Sequence, residues 1–299
     1  MDILSIAVTI VLFLLLAPLY EGIVRKVIAR VQSRKGPPVI QPYRDLLKLL
    51  GKENMSAGNA LFTIAPLLAF ASILGVIAFF PLGYHSGWLA QHADVITIVY
   101  LLTVGGVSVM LGGLASRNTY AGVGASREMI TMIMLEPVLA MTFLAGAVKA
   151  KSLGILPAIG SVAGGGYDYS TLLMLFVYLL ALMAFVGRQP FDIAEAEVEI
   201  LEGPFIEYSG PNYALFRYYL MLKQMFYASL FVVAFLPIVR TGTYGLDVLI
   251  ELAAVSVIFV LVGLIGSTNP RMRIDQAQKY YGILILLALA SVGLSVYGL

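Results

Sequence analysis

The sequence predicts an all-α, polytopic membrane protein with about eight transmembrane helices, a cytoplasmic amphipathic helix and an acidic cytoplasmic loop. Three observations predict it. Hydrophobic residues make up 60% of the chain and charged residues 12%, far from the proportions of a soluble domain. The apolar runs are long enough to cross a hydrocarbon core of about 30 Å. The charges gather in a few short segments, and six of the seventeen acidic residues fall between Asp192 and Glu207.

The apolar runs place spans at about residues 3–23, 60–82, 95–115, 128–148, 170–187, 213–238, 246–267 and 277–298, within a single membrane domain covering 1–299. An even count puts both termini on one side. With the first span running outside to inside, the inner segments hold fourteen basic residues: Arg25, Lys26, Arg30, Arg34, Lys35, Arg44, Lys48, Lys52, Arg117, Arg127, Arg188, Arg271, Arg273 and Lys279. The outer segments hold three, Lys149, Lys151 and Arg240. This bias places the acidic stretch on the cytoplasmic side of a multi-pass protein of the cytoplasmic (inner) membrane. The first run, Ile3 to Tyr20, spans rather than acting as a cleavable signal, because it ends in basic residues without a small-residue cleavage site.

After the first span, Pro37, Pro38 and Pro42 interrupt helix. Tyr43 to Gly51 then sets Leu46, Leu47, Leu49 and Leu50 beside Arg44, Asp45 and Lys48, the pattern of a short amphipathic helix lying in the interface. The two histidines, His85 and His92, flank Trp88 and read as surface loop residues without a third metal ligand nearby. The glycine-rich stretch Gly154 to Tyr169 reads as a flexible connection. With no cysteine in the chain, disulfides, thiol catalysis and cysteine-ligated iron–sulfur clusters are excluded within it.

Polar residues inside spans are costly and therefore informative. Glu136 lies about two turns inside the fourth span and is expected to be protonated or paired. Arg127 and Glu128, nearer the inner end, are close enough to snorkel. In the sixth span Arg217 and Gln224 share a face and Lys223 lies roughly a third of a turn away. Glu251, near the outer end of the seventh span, reads equally as interfacial or functional.

The stretch from Arg188 to Tyr208 organises the chain. Pro190 precedes Asp192, and Glu195 stands three residues further on, a capping-box spacing that predicts a short helix starting at Asp192. On such a helix Asp192, Glu195 and Glu199 fall within about 60° of one another. Like charges so close raise one another's pKa and titrate as a set. A solvated acidic loop is the alternative reading of the same residues.

These residues also carry a resemblance. Arg25-Lys-Val-Ile-Ala-Arg-Val-Gln-Ser-Arg-Lys-Gly-Pro37, the pair Gln41-Pro42 with Asp45 and Lys48, Arg127 with Glu136, Arg188-x-Pro-Phe-Asp192 with Glu195, Glu197, Glu199 and Glu207-Tyr208, and Arg271-x-Arg273-x-Asp275-Gln276 occur in one order along the whole chain. In this the sequence resembles the complex I subunit 1 family, which includes the heel subunit of respiratory NADH dehydrogenase and its relatives in membrane-bound hydrogenases. The resemblance implies a non-catalytic core membrane subunit that joins a cytoplasmic redox module to antiporter-like and small membrane subunits and couples electron transfer to proton or sodium movement.

It further implies an ion-coupling path through Glu136, Asp192, Glu195, Glu197, Glu199, Glu202 and Glu207. Basic partners and a docking surface would come from Arg25, Arg30, Arg34, Lys35, Arg127, Arg188, Arg271 and Arg273, with Asp275 beside them. Arg217, Lys223 and Gln224 complete the intramembrane polar set. No cofactor or metal is expected on this chain; iron–sulfur clusters and a nickel–iron centre are expected in hydrophilic partner subunits, and no nucleic acid among the partners.

Two departures point to a branch. Val24 stands where quinone-reducing members usually carry a glutamate before the Arg-Lys pair, with Glu21 the nearest acid, and the segment from Gly36 to Pro42 is shorter than theirs. The run Glu202-Gly-Pro-Phe-Ile-Glu207-Tyr-Ser-Gly210, followed by Leu222-Lys-Gln224, resembles formate hydrogenlyases and membrane-bound hydrogenases. A ferredoxin-linked hydrogenase or a related sulfane reductase is therefore the expected setting. The alternatives are a quinone-binding subunit of NADH dehydrogenase and a non-coupling membrane anchor.

Overall fold

A computed structural model of the chain describes residues 2–55, 58–84, 88–164, 168–236 and 243–298. Among these, secondary structure is helical apart from one isolated bridge between Asp94 and Gly154. The eight spans appear as α1 (Asp2–Val31), α3 (Ala60–Ala78), α5 (Val95–Ala115), α6 (Thr119–Ala150), α8 (Tyr169–Val186), α10 (Gly210–Phe235), α11 (Tyr244–Thr268) and α12 (Ile274–Tyr297). Shorter helices lie between them: α2 (Gln41–Leu50), α4 (Trp88–His92), α7 (Ile155–Gly164) and α9 (Glu197–Ile200).

Two spans outrun their apolar stretches. At 32 residues, α6 is about 48 Å long, well beyond a hydrocarbon core of about 30 Å. It starts at the Asn118 cap, whose side chain accepts from the Tyr120 amide at 2.8 Å, so Thr119 to Arg127 are helical although too polar to look like membrane span. Likewise α1 continues as helix through Arg25, Lys26 and Arg30. Both helices therefore carry charged turns onto one face of the molecule, here called the basic face, where α2 and the acidic loop also lie.

Helix α2 is the expected amphipathic helix: Leu46 is buried while Leu47 and Leu50 are exposed. Gly154 to Tyr169 departs from expectation, because α7 occupies much of this stretch. Its small residues let it press against α6, where the Ser161 hydroxyl donates to the Gly146 carbonyl at 2.7 Å. His92 ends α4 on the surface; His85 and Arg240 lie outside the described residues.

The central element is α10, which contacts α1, α2, α3, α8 and α11. It is the least apolar of the eight spans and the most enclosed, with 78% of its most apolar stretch buried. Two of the surrounding spans contain a proline, and a proline at position i leaves the carbonyl at i−4 without its helical donor. Tyrosines fill both gaps. Tyr218 of α10 donates to the Leu14 carbonyl freed by Pro18, at 2.6 Å. Tyr208, just before α10, donates to the Phe62 carbonyl freed by Pro66, at 3.0 Å, with its ring stacked on Phe62 at 4.0 Å.

Candidate functional site

The site lies where the basic face meets the helix bundle. Gly187, with φ of 65°, ends α8 in the left-handed conformation that glycine adopts without a Cβ penalty, and the chain turns back into the protein. The helix expected to start at Asp192 does not form: α9 begins five residues later, with Ala196 as its N-cap. The acidic side chains are taken by separate cations instead of sharing one helical face. Asp192 pairs with Arg271 at 2.9 Å, Glu195 lies 3.8 Å from Arg217, and Glu199 pairs with Arg127 at 2.6 Å. Tertiary charge partners thus outcompete the local capping box.

The innermost group is Glu21, only 2% exposed. Its carboxylate is held by Arg25 from the same helix at 2.9 Å and by Arg188 from the loop. Arg25 continues to Asp45 of α2 at 3.2 Å, and Gln41 donates to the same carboxylate at 2.9 Å. Arg188 also donates to Gln224 of α10 at 3.4 Å. A buried carboxylate between two guanidiniums is compensated in charge, and these contacts tie α1, α2, α10 and the loop together. The sequence reading left Glu21 out of the site. The available signal was an acid four residues before Arg25 inside an apolar span.

Two cavities, both partly open, meet at the loop. A cavity of about 440 Å³ is lined by Glu21, Arg25, Arg188, Arg217 and Arg271. A narrower one of about 90 Å³ reaches Glu128, Glu136, Lys223 and Tyr227 between α6 and α10. Gly187, Asp192, Glu195, Leu220 and Gln224 line both. Arg217 and Gln224 face the larger cavity together, as their seven-residue spacing requires. Lys223 lines the narrower one, with its Nζ 3.9 Å from Glu128 and 5.9 Å from the Tyr219 ring centroid. Glu128 therefore belongs to the polar interior instead of snorkelling. The Nε atoms of Arg188 and Arg271 are buried with no hydrogen-bond partner, a donor set suited to a hydrated space.

Charge states in the loop follow from these surroundings. Glu195 sits at the junction, and desolvation by burial is the largest influence on it. Asp192 adds repulsion while Arg217 and Arg188 oppose it, and the result is a pKa pushed up to about 7. Its side chain is 32% accessible and lines both cavities. Glu199, by contrast, is held below the usual carboxylate range by its hydrogen bond from Arg127.

The remaining sequence candidates spread over the basic face. Glu202 and Glu207 are exposed, and Glu207 accepts from Asn118 at 2.6 Å. Glu197 opens α9, but its side chain lies outside the described residues. Arg30 in the last turn of α1 and Arg34 and Lys35 just beyond it are exposed. Arg273 is the N-cap of α12 and Asp275 sits in its first turn, both at the surface. Among the described residues no group of three or more His, Cys, Asp or Glu is placed to hold a metal ion.

A family model described as NADH dehydrogenase matches residues 4–297. The chain belongs to the NADH dehydrogenase subunit 1 family. Within this family it is 37% identical to hydrogenase-4 component C of Escherichia coli (strain K12) over 271 residues, covering 88% of this chain and 86% of that protein. It is 31% identical to formate hydrogenlyase subunit 4 of the same organism, covering 87% of each. An NADH-quinone oxidoreductase subunit of Bacillus thuringiensis (strain Al Hakam) is 33% identical, with 96% of this chain and 91% of that protein covered. A solved chain from the membrane-bound sulfane sulfur reductase, an archaeal respiratory membrane complex, superposes with a TM-score of 0.86 at 26% identity, covering 98% of this chain and 99% of that one. The relatives of this NADH dehydrogenase subunit 1 family member are thus membrane subunits of hydrogenase-type and complex I-like assemblies.

Proposed function

We propose that this chain is the core membrane subunit of a ferredoxin-linked membrane-bound hydrogenase, or of a related sulfane reductase. In that role it docks the cytoplasmic electron-transfer module and couples its redox reaction to proton or sodium translocation across the cytoplasmic membrane. The observation that carries this reading is the position of Asp192 and Glu195, which sit on the loop facing the basic side and line both cavities. A change of charge or contact at the loop surface thereby acts on the same carboxylates that border Glu128, Glu136 and Lys223 in the membrane.

Docking has its own support. Val198 is 93% exposed and Leu201 55% exposed on the acidic loop, flanked by exposed Glu199 and Glu202, and Arg30, Arg34 and Lys35 are exposed on the same basic face. An apolar pair ringed by charge suits a hydrophilic partner subunit. Iron–sulfur clusters and a nickel–iron centre belong to such partners in this reading, and antiporter-like and small membrane subunits complete the assembly. The hydrogenase-type relatives and the sulfane reductase fold match favour this branch.

A quinone-binding role is the second reading, favoured by the size of the larger cavity, about 440 Å³ next to Glu21 and Arg25. The test uses the purified complex supplied with reduced ferredoxin. Hydrogen or sulfide evolution, quinone reduction and ion uptake into proteoliposomes are followed separately. Hydrogen or sulfide evolution with ion uptake is the expected result; inhibitor-sensitive quinone reduction without either product overturns the branch, and electron transfer without ion movement overturns the coupling.

A further inference from the structure

A second polar locus lies far from the basic face, in the seam between α1 and α11. Glu251 of α11 is 0% exposed. Its Oε2 accepts from the Gly83 amide at 2.7 Å, in the short turn after α3, whereas Oε1 has no hydrogen-bond partner. No described lysine, arginine or histidine lies within ion-pairing distance of it. A structural cap for the Gly83 turn accounts for one oxygen and leaves the second, and the acidity, without a purpose; a glutamine would serve the turn equally well.

The surroundings of Glu251 are polar in both directions along the seam. Asp247, 5% exposed, lies one turn outward on the same helix, toward which a helical side chain at 251 leans. On the inward side, the Tyr20 hydroxyl of α1 and the Ser256 hydroxyl both donate to the Leu252 carbonyl, at 2.9 and 2.8 Å. Two hydroxyls meeting at one carbonyl are neighbours of each other, and that carbonyl belongs to the residue next to Glu251. Tyr20 is in turn adjacent in sequence to Glu21, the centre of the inner ion cluster. The groups near Glu251 are thus Tyr20 from α1, the Gly83 amide from the turn and Asp247 one turn away on α11 itself, whereas Ser256 lies about 140° round that helix and meets Tyr20 at the Leu252 carbonyl.

We propose that Glu251 is a proton-binding station on the side of the membrane opposite the acidic loop, exchanging its proton with the outer phase by way of Asp247, with the Tyr20 hydroxyl near it on the inward side. A dry carboxylate with no cation is costly, whereas a carboxylic acid with a free oxygen accepts and releases a proton at little structural cost. In the exchange the Glu251 O–H bond breaks as an O–H bond forms on Asp247, and the reverse step reloads the site. This rests on the coupling reading and adds to it a terminus away from the loop.

The test compares wild type, Glu251→Gln and Asp247→Asn in the intact complex, reconstituted in proteoliposomes, by ions translocated per electron and by infrared difference spectra after a pH jump. Glu251→Gln keeps an acceptor for the Gly83 amide. The expected result is an assembled complex with unchanged electron transfer, at least a twofold lower ion-to-electron ratio, and loss of a carboxylic-acid C=O band. An unchanged ratio and spectrum in Glu251→Gln overturn the station. If that variant does not assemble, Asp247→Asn, which leaves the Gly83 bond intact, decides: a lowered ratio supports the station and an unchanged one overturns it. A wild-type complex that moves no ion sinks the coupling reading itself, whereas a transporting wild type with an unaffected variant sinks the station alone.

Discussion

Asp192 and Arg271, 79 residues apart in sequence, are joined by a 2.9 Å ion pair, and beside it the Met272 amide donates to the Pro190 carbonyl at 2.9 Å. The acidic loop is therefore fastened to the segment that leads into α12. Removing one partner of a part-buried pair takes away charge compensation from the other, at a cost of up to about 3 kcal/mol. Arg271→Ala is expected to lower the yield of assembled complex and to raise proteolysis within the loop, while Arg271→Lys restores part of both. Limited proteolysis of membranes with mass-spectrometric mapping of the cut sites checks it; wild-type resistance in Arg271→Ala would show the pair to be incidental.

Glu195 changes charge as pH rises through about 7. Below that value it is neutral at the junction of the two cavities, and above it a carboxylate stands beside Arg217. Ion transport driven by electron transfer is expected to inflect near that pH in wild type and to lose the inflection in Glu195→Gln. Stability follows the same sign. The folded state binds this proton more tightly than the unfolded chain, whose carboxyl has the ordinary value of 4.5, so ionisation costs stability as pH rises. Glu195→Gln is expected to unfold later than wild type at pH 8 and no later at pH 4, read by thermal unfolding in detergent.

Tyr208→Phe is expected to destabilise the subunit by about 1–2 kcal/mol, because the Phe62 carbonyl loses its donor. Pro66→Ala supplies a backbone N–H to that same carbonyl, so the double variant should recover part of the loss. A double-mutant cycle by thermal unfolding measures the coupling. Strict additivity would mean that the tyrosine is held by its ring contact with Phe62 alone.

Glu136→Gln is expected to assemble normally yet lose most of the ion movement per electron, since the residue lines the narrow cavity with Glu128 and Lys223 and a neutral amide cannot exchange a proton. Proteoliposome uptake normalised to hydrogen or sulfide production is the measurement. Wild-type uptake in a fully assembled variant would remove Glu136 from the path.

Val198→Cys should react with a membrane-impermeant maleimide in the isolated subunit, from the basic face only, because Val198 is 93% exposed and the chain has no other cysteine. In the assembled complex the same thiol should be protected by the docked module. Equal labelling in both states would move the docking surface elsewhere, and labelling from the opposite side would reverse the topology.

The eight spans were legible because a bilayer leaves the backbone few choices: an apolar run of sufficient length must be helix. Their ends were less so. The polar turn from Thr119 to Arg127 is helical because Asn118 caps it, a signal an apolar window does not weigh. The charges of the loop were legible as a group, but their partners were not, since Asp192, Glu195 and Glu199 answer to Arg271, Arg217 and Arg127 from three distant segments and not to the local capping pattern. Glu21 was hidden by its place in an apolar span. Helix α7 was hidden by its glycines, which lower helix propensity; the close packing that supports it comes from Gly146 of α6, where a Cβ would meet the Ala158 carbonyl oxygen at 2.4 Å.

The enclosure of α10 bears on how the protein is made. It is the least apolar of the spans and carries Arg217 and Lys223, yet 78% of its most apolar stretch is buried by other parts of the chain. Alone in lipid such a segment is poorly retained, since each charged residue near the centre of a span costs about 2.5–3.5 kcal/mol on insertion scales. Its partners α1, α3 and α8 precede it in sequence and leave the ribosome first, so the earlier helices form the cradle that receives it. Membrane integration of this subunit is thereby a cooperative event at the sixth span, and ribosomal pausing or premature release before that point would strand a half-built bundle.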